Sequence, residues 1–162
     1  MDAATLRAQL KAQLANRALI YLETFDALAA ELGAEKAEEV LKRAIYNRGT
    51  KVGEAFRRFG PADLAGLREA FIGGLPGGPD FFRPEVRRCD GGKLEIKFHD
   101  CPLKSAWVAA GVAEDKLATL CRIAGIIDNG TFEAAGFAIE NRTWTPGEEG
   151  CCNLHITPGP AA

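Results

Sequence analysis

The run Pro84-Glu85-Val86-Arg87-Arg88-Cys89-Asp90-Gly91-Gly92-Lys93-Leu94-Glu95-Ile96-Lys97-Phe98 decides the fold, because the apolar period changes here from about 3.6 residues to 2. Asp90-Gly91-Gly92 is a hairpin turn signal between two expected strands, Pro84 to Cys89 and Lys93 to Phe98. Leu94, Ile96 and Phe98 share one face of the second strand. Lys93, Glu95 and Lys97 share the other, joined by His99 and Cys101 if the alternation continues. That pattern describes a half-buried antiparallel ribbon with His99 and Cys101 on the side away from the main core.

Upstream, Leu6, Leu10, Leu14, Ala18, Tyr21, Leu22, Phe25, Leu28, Ala29 and Leu32 form the stripe of one long amphipathic helix ended by Gly33. Val40, Leu41, Ala44, Ile45, Val52, Phe56 and Phe59 mark a second helix. Gly49 and Gly53 lie inside it, and each costs about 1 kcal/mol against alanine, so a close backbone approach or a kink is expected there. Pro61 suits the first position of a third helix bearing Leu64, Leu67, Ala70 and Phe71. The run Gly73-Gly74-Leu75-Pro76-Gly77-Gly78-Pro79 then reads as a loop.

Downstream, Asp100 is placed to cap a helix from Pro102 that carries Leu103, Trp107 and Val108 and ends at Gly111. A thiol at Cys101 beside that helix start would meet unpaired N–H groups and the positive end of the helix dipole, which lower a thiol pKa. A helix from Ala113 to Ile127 puts Cys121 and Asp128 on one face, about two turns apart. Asn129-Gly130 reads as a turn into strands at about Glu133 to Thr143 and Cys151 to Ile156. In the last strand Cys152, Leu154 and Ile156 alternate with Cys151, Asn153 and His155, so the two adjacent cysteines are expected on opposite faces.

The implied class is α+β, with N-terminal helices and a helical pair packed on a roughly four-stranded antiparallel sheet. One domain over 1–157 accounts for the chain: a helical part at 1–75, a sheet part at 80–157 carrying the site, and a flexible tail at 158–162.

With 20 basic and 22 acidic residues dispersed along it, the chain lacks a nucleic-acid footprint. It shows neither a membrane-length apolar run nor a basic leader before an apolar one, so a soluble, cytoplasmic protein is expected. Five cysteines in that setting read as reduced thiols, metal ligands or catalytic groups.

His99, Cys101, Cys152 and His155 offer two imidazoles and two thiols, a set that suits zinc or iron, although Cys152 and His155 fall on opposite faces of a regular strand. No metal is assigned. Against each functional role stands a plainer one. Cys101 and Cys121 also suit a core, Asp128 a helix end, Trp107 and Trp144 packing, and Glu148-Glu149 a solvated turn, while Cys151 and Cys89 read as incidental.

The succession Cys101-Pro102, Cys121, Asp128, Trp144-Thr145-Pro146-Gly147 and Gly150-Cys151-Cys152-Asn153-Leu154-His155-Ile156 resembles the L-2-amino-thiazoline-4-carboxylate hydrolase family over about residues 80 to 157. The same ending is similar to vinyl-reductase-type small-molecule-binding domains related to trafficking-complex subunits. The first resemblance implies a hydrolase opening a carbon–nitrogen bond in a small thiazoline- or amidine-like ring. It carries over Cys101, Cys121, Asp128 and Cys152. Asn153 stands where an acidic residue is usual, and His155 where a basic one often stands.

On this reading Cys101 or Cys152 supplies the nucleophile, His99 or Asp128 moves protons, and Cys121, Trp107, Asn153 and His155 line the substrate site. Metal-bound water is the other route to hydrolysis. The rival is a non-enzymatic small-molecule- or metal-binding domain, a sensor or accessory subunit. A homo-oligomer would cover the edges of the small sheet.

Overall fold

A computed structural model describes residues 2–160. Helix α1, Ala3–Leu32, starts where the Asp2 side chain accepts the Thr5 N–H at 2.8 Å and ends at Gly33, whose φ of 85° few other residues adopt cheaply. Leu14, Ala18 and Phe25 of its stripe are buried, whereas Leu6 and Leu10 remain exposed. Helix α2, Ala34–Gly53, runs on into a 3₁₀ helix, Glu54–Phe59.

The partner of α2 is helix α6, Glu114–Ala134, and their backbones touch. A Cβ at Gly49 would overlap the Ile127 carbonyl, one at Gly53 the Thr131 carbonyl, and one at Gly130 the Tyr46 carbonyl. This is the close approach expected of Gly49 and Gly53. It also corrects the turn expected at Asn129-Gly130: Gly130 is a contact point inside a helix that runs two turns further than its local signals suggest. Tertiary contact outweighs turn propensity at this position.

Helix α3, Leu64–Gly73, is capped by Asp63, which accepts the Gly66 N–H at 2.9 Å, so Pro61 precedes the helix and does not open it. The glycine- and proline-rich loop contains a one-turn helix α4, Pro79–Phe82. Strands β1, Pro84–Cys89, and β2, Leu94–Phe98, form the expected hairpin. Its turn closes on Asp90, whose carboxylate accepts the Gly92 and Lys93 N–H groups at 2.8 and 3.0 Å.

Helix α5, Pro102–Ala109, follows, and after α6 come strands β3, Ala138–Arg142, and β4, Asn153–Thr157. Both are shorter than their sequence patterns. The four strands are antiparallel in the order β1-β2-β4-β3. Leu94, Ile96, Phe98, Leu154 and Ile156 fill the buried face, while Glu95, Lys97, Asn153 and His155 lie on the other.

Two apolar clusters result. One joins α1, α2, α5 and α6 around Leu14, Phe25, Trp107 and Ile123; the other joins the sheet, α3 and the end of α6 around Leu67, Ile96, Phe132 and Leu154. Cys101 packs against both. At the C-terminus the Gly159 N–H donates to the Pro61 carbonyl at 3.0 Å, and residues 161–162 of the expected tail lie outside the described residues.

Candidate active site between the two clusters

A cavity of about 320 Å³ opens where the two clusters meet. Phe56, Phe71, Phe82, Phe98, Leu103 and Trp107 supply much of its apolar wall. Phe71 holds that wall together, packing edge-on against Phe56, Phe98 and Phe132 with ring centroids 4.9–6.4 Å apart. Trp107 is fully buried, and its indole N–H donates to the Ala18 carbonyl at 2.7 Å, fixing α5 to α1.

Four cysteines and one carboxyl reach the same cavity: Cys101, Cys121, Cys151, Cys152 and Asp128. Cys101 is the N-cap residue of α5, in extended conformation with Pro102 at the first helical position. Cys121 and Asp128 come from one face of α6, as the spacing requires.

Cys151 and Cys152 arrive together. The strand expected from Cys151 begins only at Asn153, and the chain enters it through Gly150 at φ 75°, so pleat parity does not extend back to the two cysteines. The Cys151 N–H donates to the Phe98 carbonyl, and the Phe98 N–H to the Cys152 carbonyl, both at 2.9 Å. Lys97 Nζ donates to the Cys151 carbonyl at 2.8 Å and Lys104 Nζ to the Gly150 carbonyl at 2.6 Å.

Lys104 also lies 4.4 Å above the Trp144 ring, and the Trp144 indole N–H donates to the Glu148 carbonyl at 2.8 Å. The Glu148 carboxylate in turn accepts the Thr145 N–H at 2.9 Å. The Trp144–Glu148 loop therefore builds the turn that presents the two thiols. Cys151, read from sequence as incidental, is a member of the site; the signal was the glycine directly before it, which breaks strand alternation.

All five cysteines are free thiols, and the Cys151 and Cys152 sulfurs are 3.6 Å apart. The neighbouring Cys101, Cys121 and Cys152 thiols favour a thiolate on Cys151 and hold its pKa below the ordinary range. The hydrogen bond to Cys151 and burial push the other three up. The N–H groups of Leu103 and Lys104 do favour a Cys101 thiolate, as a helix start should, but they are outweighed. The cluster thus gives up one proton readily and resists losing a second.

Asp128 is deep in the molecule yet keeps partial solvent contact through the cavity, and burial followed by the nearby Cys151 charge raises its pKa to about 7.

Three candidates from sequence lie elsewhere. Strand β2 stops at Phe98, so His99 and Cys101 part company: His99 Nε2 is 2.7 Å from Glu85 Oε2 at the surface, whereas Cys101 turns inward. His99, Asp100, Lys104 and Ser105 instead line a shallow outer cleft that reaches Cys101 from the other side. Asp100 pairs with Arg83 at 3.3 Å and does not cap α5.

His155 and Asn153 lie on the outer face of the sheet, with His155 Nδ1 3.7 Å from Glu95 and the buried His155 Nε2 and Asn153 Oδ1 unpaired. Burial and Lys93 lower the His155 pKa. The set His99, Cys101, Cys152 and His155 is therefore split between three places. Among the described residues no group of three or more His, Cys, Asp or Glu side chains is arranged to hold a metal ion.

In its fold the chain is similar to a trafficking protein particle complex subunit 3 from Naegleria fowleri, solved covalently bound to palmitic acid. The two share 11% identity and a TM-score of 0.54, over 93% of this chain and 97% of that one. At that identity the likeness is one of fold. No curated protein matches the sequence. The family model for L-2-amino-thiazoline-4-carboxylic acid hydrolase matches residues 13–156, from within α1 to within β4. On that match, which spans nearly all of the sequence, the chain belongs to the L-2-amino-thiazoline-4-carboxylic acid hydrolase family.

Proposed function

We propose that this protein is a hydrolase that opens a carbon–nitrogen bond in a small cyclic amidine-like substrate of the thiazoline class, with a cysteine as nucleophile. The observation that carries the reading is the convergence of Cys101, Cys121, Cys151, Cys152 and Asp128 on one cavity of ligand size. Cys101 is the nucleophile. It borders both the inner cavity and the outer cleft, and the Leu103 and Lys104 N–H groups face its sulfur.

In this scheme the Cys101 proton passes to the neighbouring Cys151 sulfur as the Cys101 sulfur bonds to the ring carbon of the C=N group. The ring nitrogen takes up the C=N electron pair with a proton from Asp128, then the electron pair of the breaking carbon–nitrogen bond with the proton held on Cys151, and leaves as an amine. Water then adds to the same carbon, Asp128 takes one of its protons, and the Cys101 sulfur leaves with the other as the carbon–oxygen double bond forms, for net uptake of one water. A carboxyl with a pKa near 7 suits both proton transfers at neutral pH. Free thiols in the site fit a reducing compartment such as the cytoplasm. No helix among the described residues is long and apolar enough to cross a membrane.

The apolar wall favours one alternative. Phe56, Phe71, Leu75, Phe82 and Phe98 would also sheathe a hydrocarbon chain, and the solved structure of similar fold holds palmitic acid covalently. In that case Cys101 would carry an acyl group as a thioester and the protein would be a binding module. The two readings are separated by assaying ring opening of 2-amino-thiazoline-4-carboxylate while recording intact mass after exposure to a palmitoyl thioester. Turnover without a lasting adduct supports the hydrolase. A stable, hydroxylamine-labile adduct without turnover supports the binding module.

A further inference from the structure

We propose that Arg17 is the specificity-determining residue of the cavity: it anchors the carboxylate of the substrate, so that the ring carbon is turned toward the thiols and Asp128. This rests on the hydrolase reading and names the group on the protein that would recognise the acid function.

Among the residues lining the cavity, Arg17 is the one basic side chain and Asp128 the one carboxyl, set in a wall that is otherwise aromatic, aliphatic or thiol apart from Thr131. The two come from different helices, Arg17 from α1 and Asp128 from α6. A ligand that satisfies both carries a cationic or N–H-donating end and an anionic end, as an aminothiazoline carboxylate does.

Arg17 is also free to take a ligand. Several other arginines are committed: Arg7 pairs with Asp80 at 2.6 Å, and Arg122 forks onto Glu38 at 2.8 and 2.9 Å. Arg17 forms no such pair among the described residues, although it is exposed at the rim of the cavity. The turn that bears it is held in place, because the carbonyl of the next residue, Ala18, accepts the Trp107 indole N–H. A planar guanidinium binds a carboxylate through two parallel hydrogen bonds, and low-dielectric walls strengthen that contact.

The test is calorimetric binding of 2-amino-thiazoline-4-carboxylate and of its uncharged 4-carboxamide to wild type, Arg17→Gln and Arg17→Lys, with turnover of both compounds measured in parallel. Wild type is expected to prefer the carboxylate by about 10- to 100-fold, the range of a hydrogen-bonded charge pair. Arg17→Gln should lose that preference while binding the carboxamide as wild type does. Arg17→Lys should recover part of it, and in turnover the loss should fall on KM more than on kcat.

An Arg17→Gln protein that keeps the full preference overturns the proposal, as does a wild type that binds neither compound or does not tell them apart. Carboxylate binding that depends on Arg17 without turnover leaves the anchor standing and removes the hydrolase reading. Turnover with full preference in Arg17→Gln does the reverse.

Discussion

The Phe98 N–H donates to the Cys152 carbonyl at 2.9 Å, and this bond ties the last inward residue of β2 to the turn that carries two thiols. With the return bond from the Cys151 N–H to the Phe98 carbonyl, it extends the β2–β4 ladder by one irregular step, in which both adjacent cysteines border the cavity. The site therefore depends on the geometry of Gly150.

Gly150→Ala should damage both stability and activity. At φ 75° an alanine is strained, and its Cβ would stand 3.0 Å from the Phe98 carbonyl oxygen. A loss of about 1–3 kcal/mol in urea unfolding is expected, together with a fall in ring opening.

Gly130→Ala reverses the sign of helix propensity. In an open helix the change gains about 1 kcal/mol, but here the added methyl meets the Tyr46 carbonyl. Chemical denaturation should show destabilisation of about 1–3 kcal/mol. A gain would mean that α2 and α6 do not pack as closely as described.

Asp128 predicts a pH dependence. Its folded pKa of about 7 lies above the ordinary aspartate value of 3.8, so the stability it contributes is present below the unfolded pKa and is lost as pH rises toward and through 7. Asp128→Asn should flatten this slope and be more stable than wild type at pH 8, by on the order of 2 kcal/mol once cavity water is allowed for. The same substitution should lower kcat by about 100-fold and remove an inflection near neutral pH from the rate profile.

Cys151→Ser should make the cluster less acidic. Wild type is expected to show a thiol that alkylates with iodoacetamide below the pH at which an ordinary cysteine reacts, because three S–H groups stabilise one thiolate. With serine at this position the reactive fraction should move to higher pH. An unchanged profile would place the thiolate elsewhere in the cluster.

The hairpin from Pro84 to Phe98, the burial of Leu94, Ile96 and Phe98, and the shared face of Cys121 and Asp128 were legible in the sequence because local periodicity alone specifies them. So was the backbone approach at Gly49 and Gly53, since glycine inside a helix costs stability that packing must offset. What could not be read depended on partners distant in the chain. Gly130 is helical because Tyr46 packs there, and Cys101 leaves the outer face it was expected to share with His99 because the strand ends at Phe98 and the chain turns into α5. Cys151 faces the cavity because a left-handed glycine resets the parity. Arg17 gives no local signal, since a guanidinium on an exposed helix face looks the same with or without a cavity beside it.

The role of Cys101 is tested most directly by the rate of 2-amino-thiazoline-4-carboxylate ring opening by wild type beside a folded Cys101→Ala protein. A nucleophilic Cys101 predicts turnover by wild type and a loss of at least about 1,000-fold in Cys101→Ala with its thermal midpoint little changed. Unchanged turnover in Cys101→Ala would contradict it.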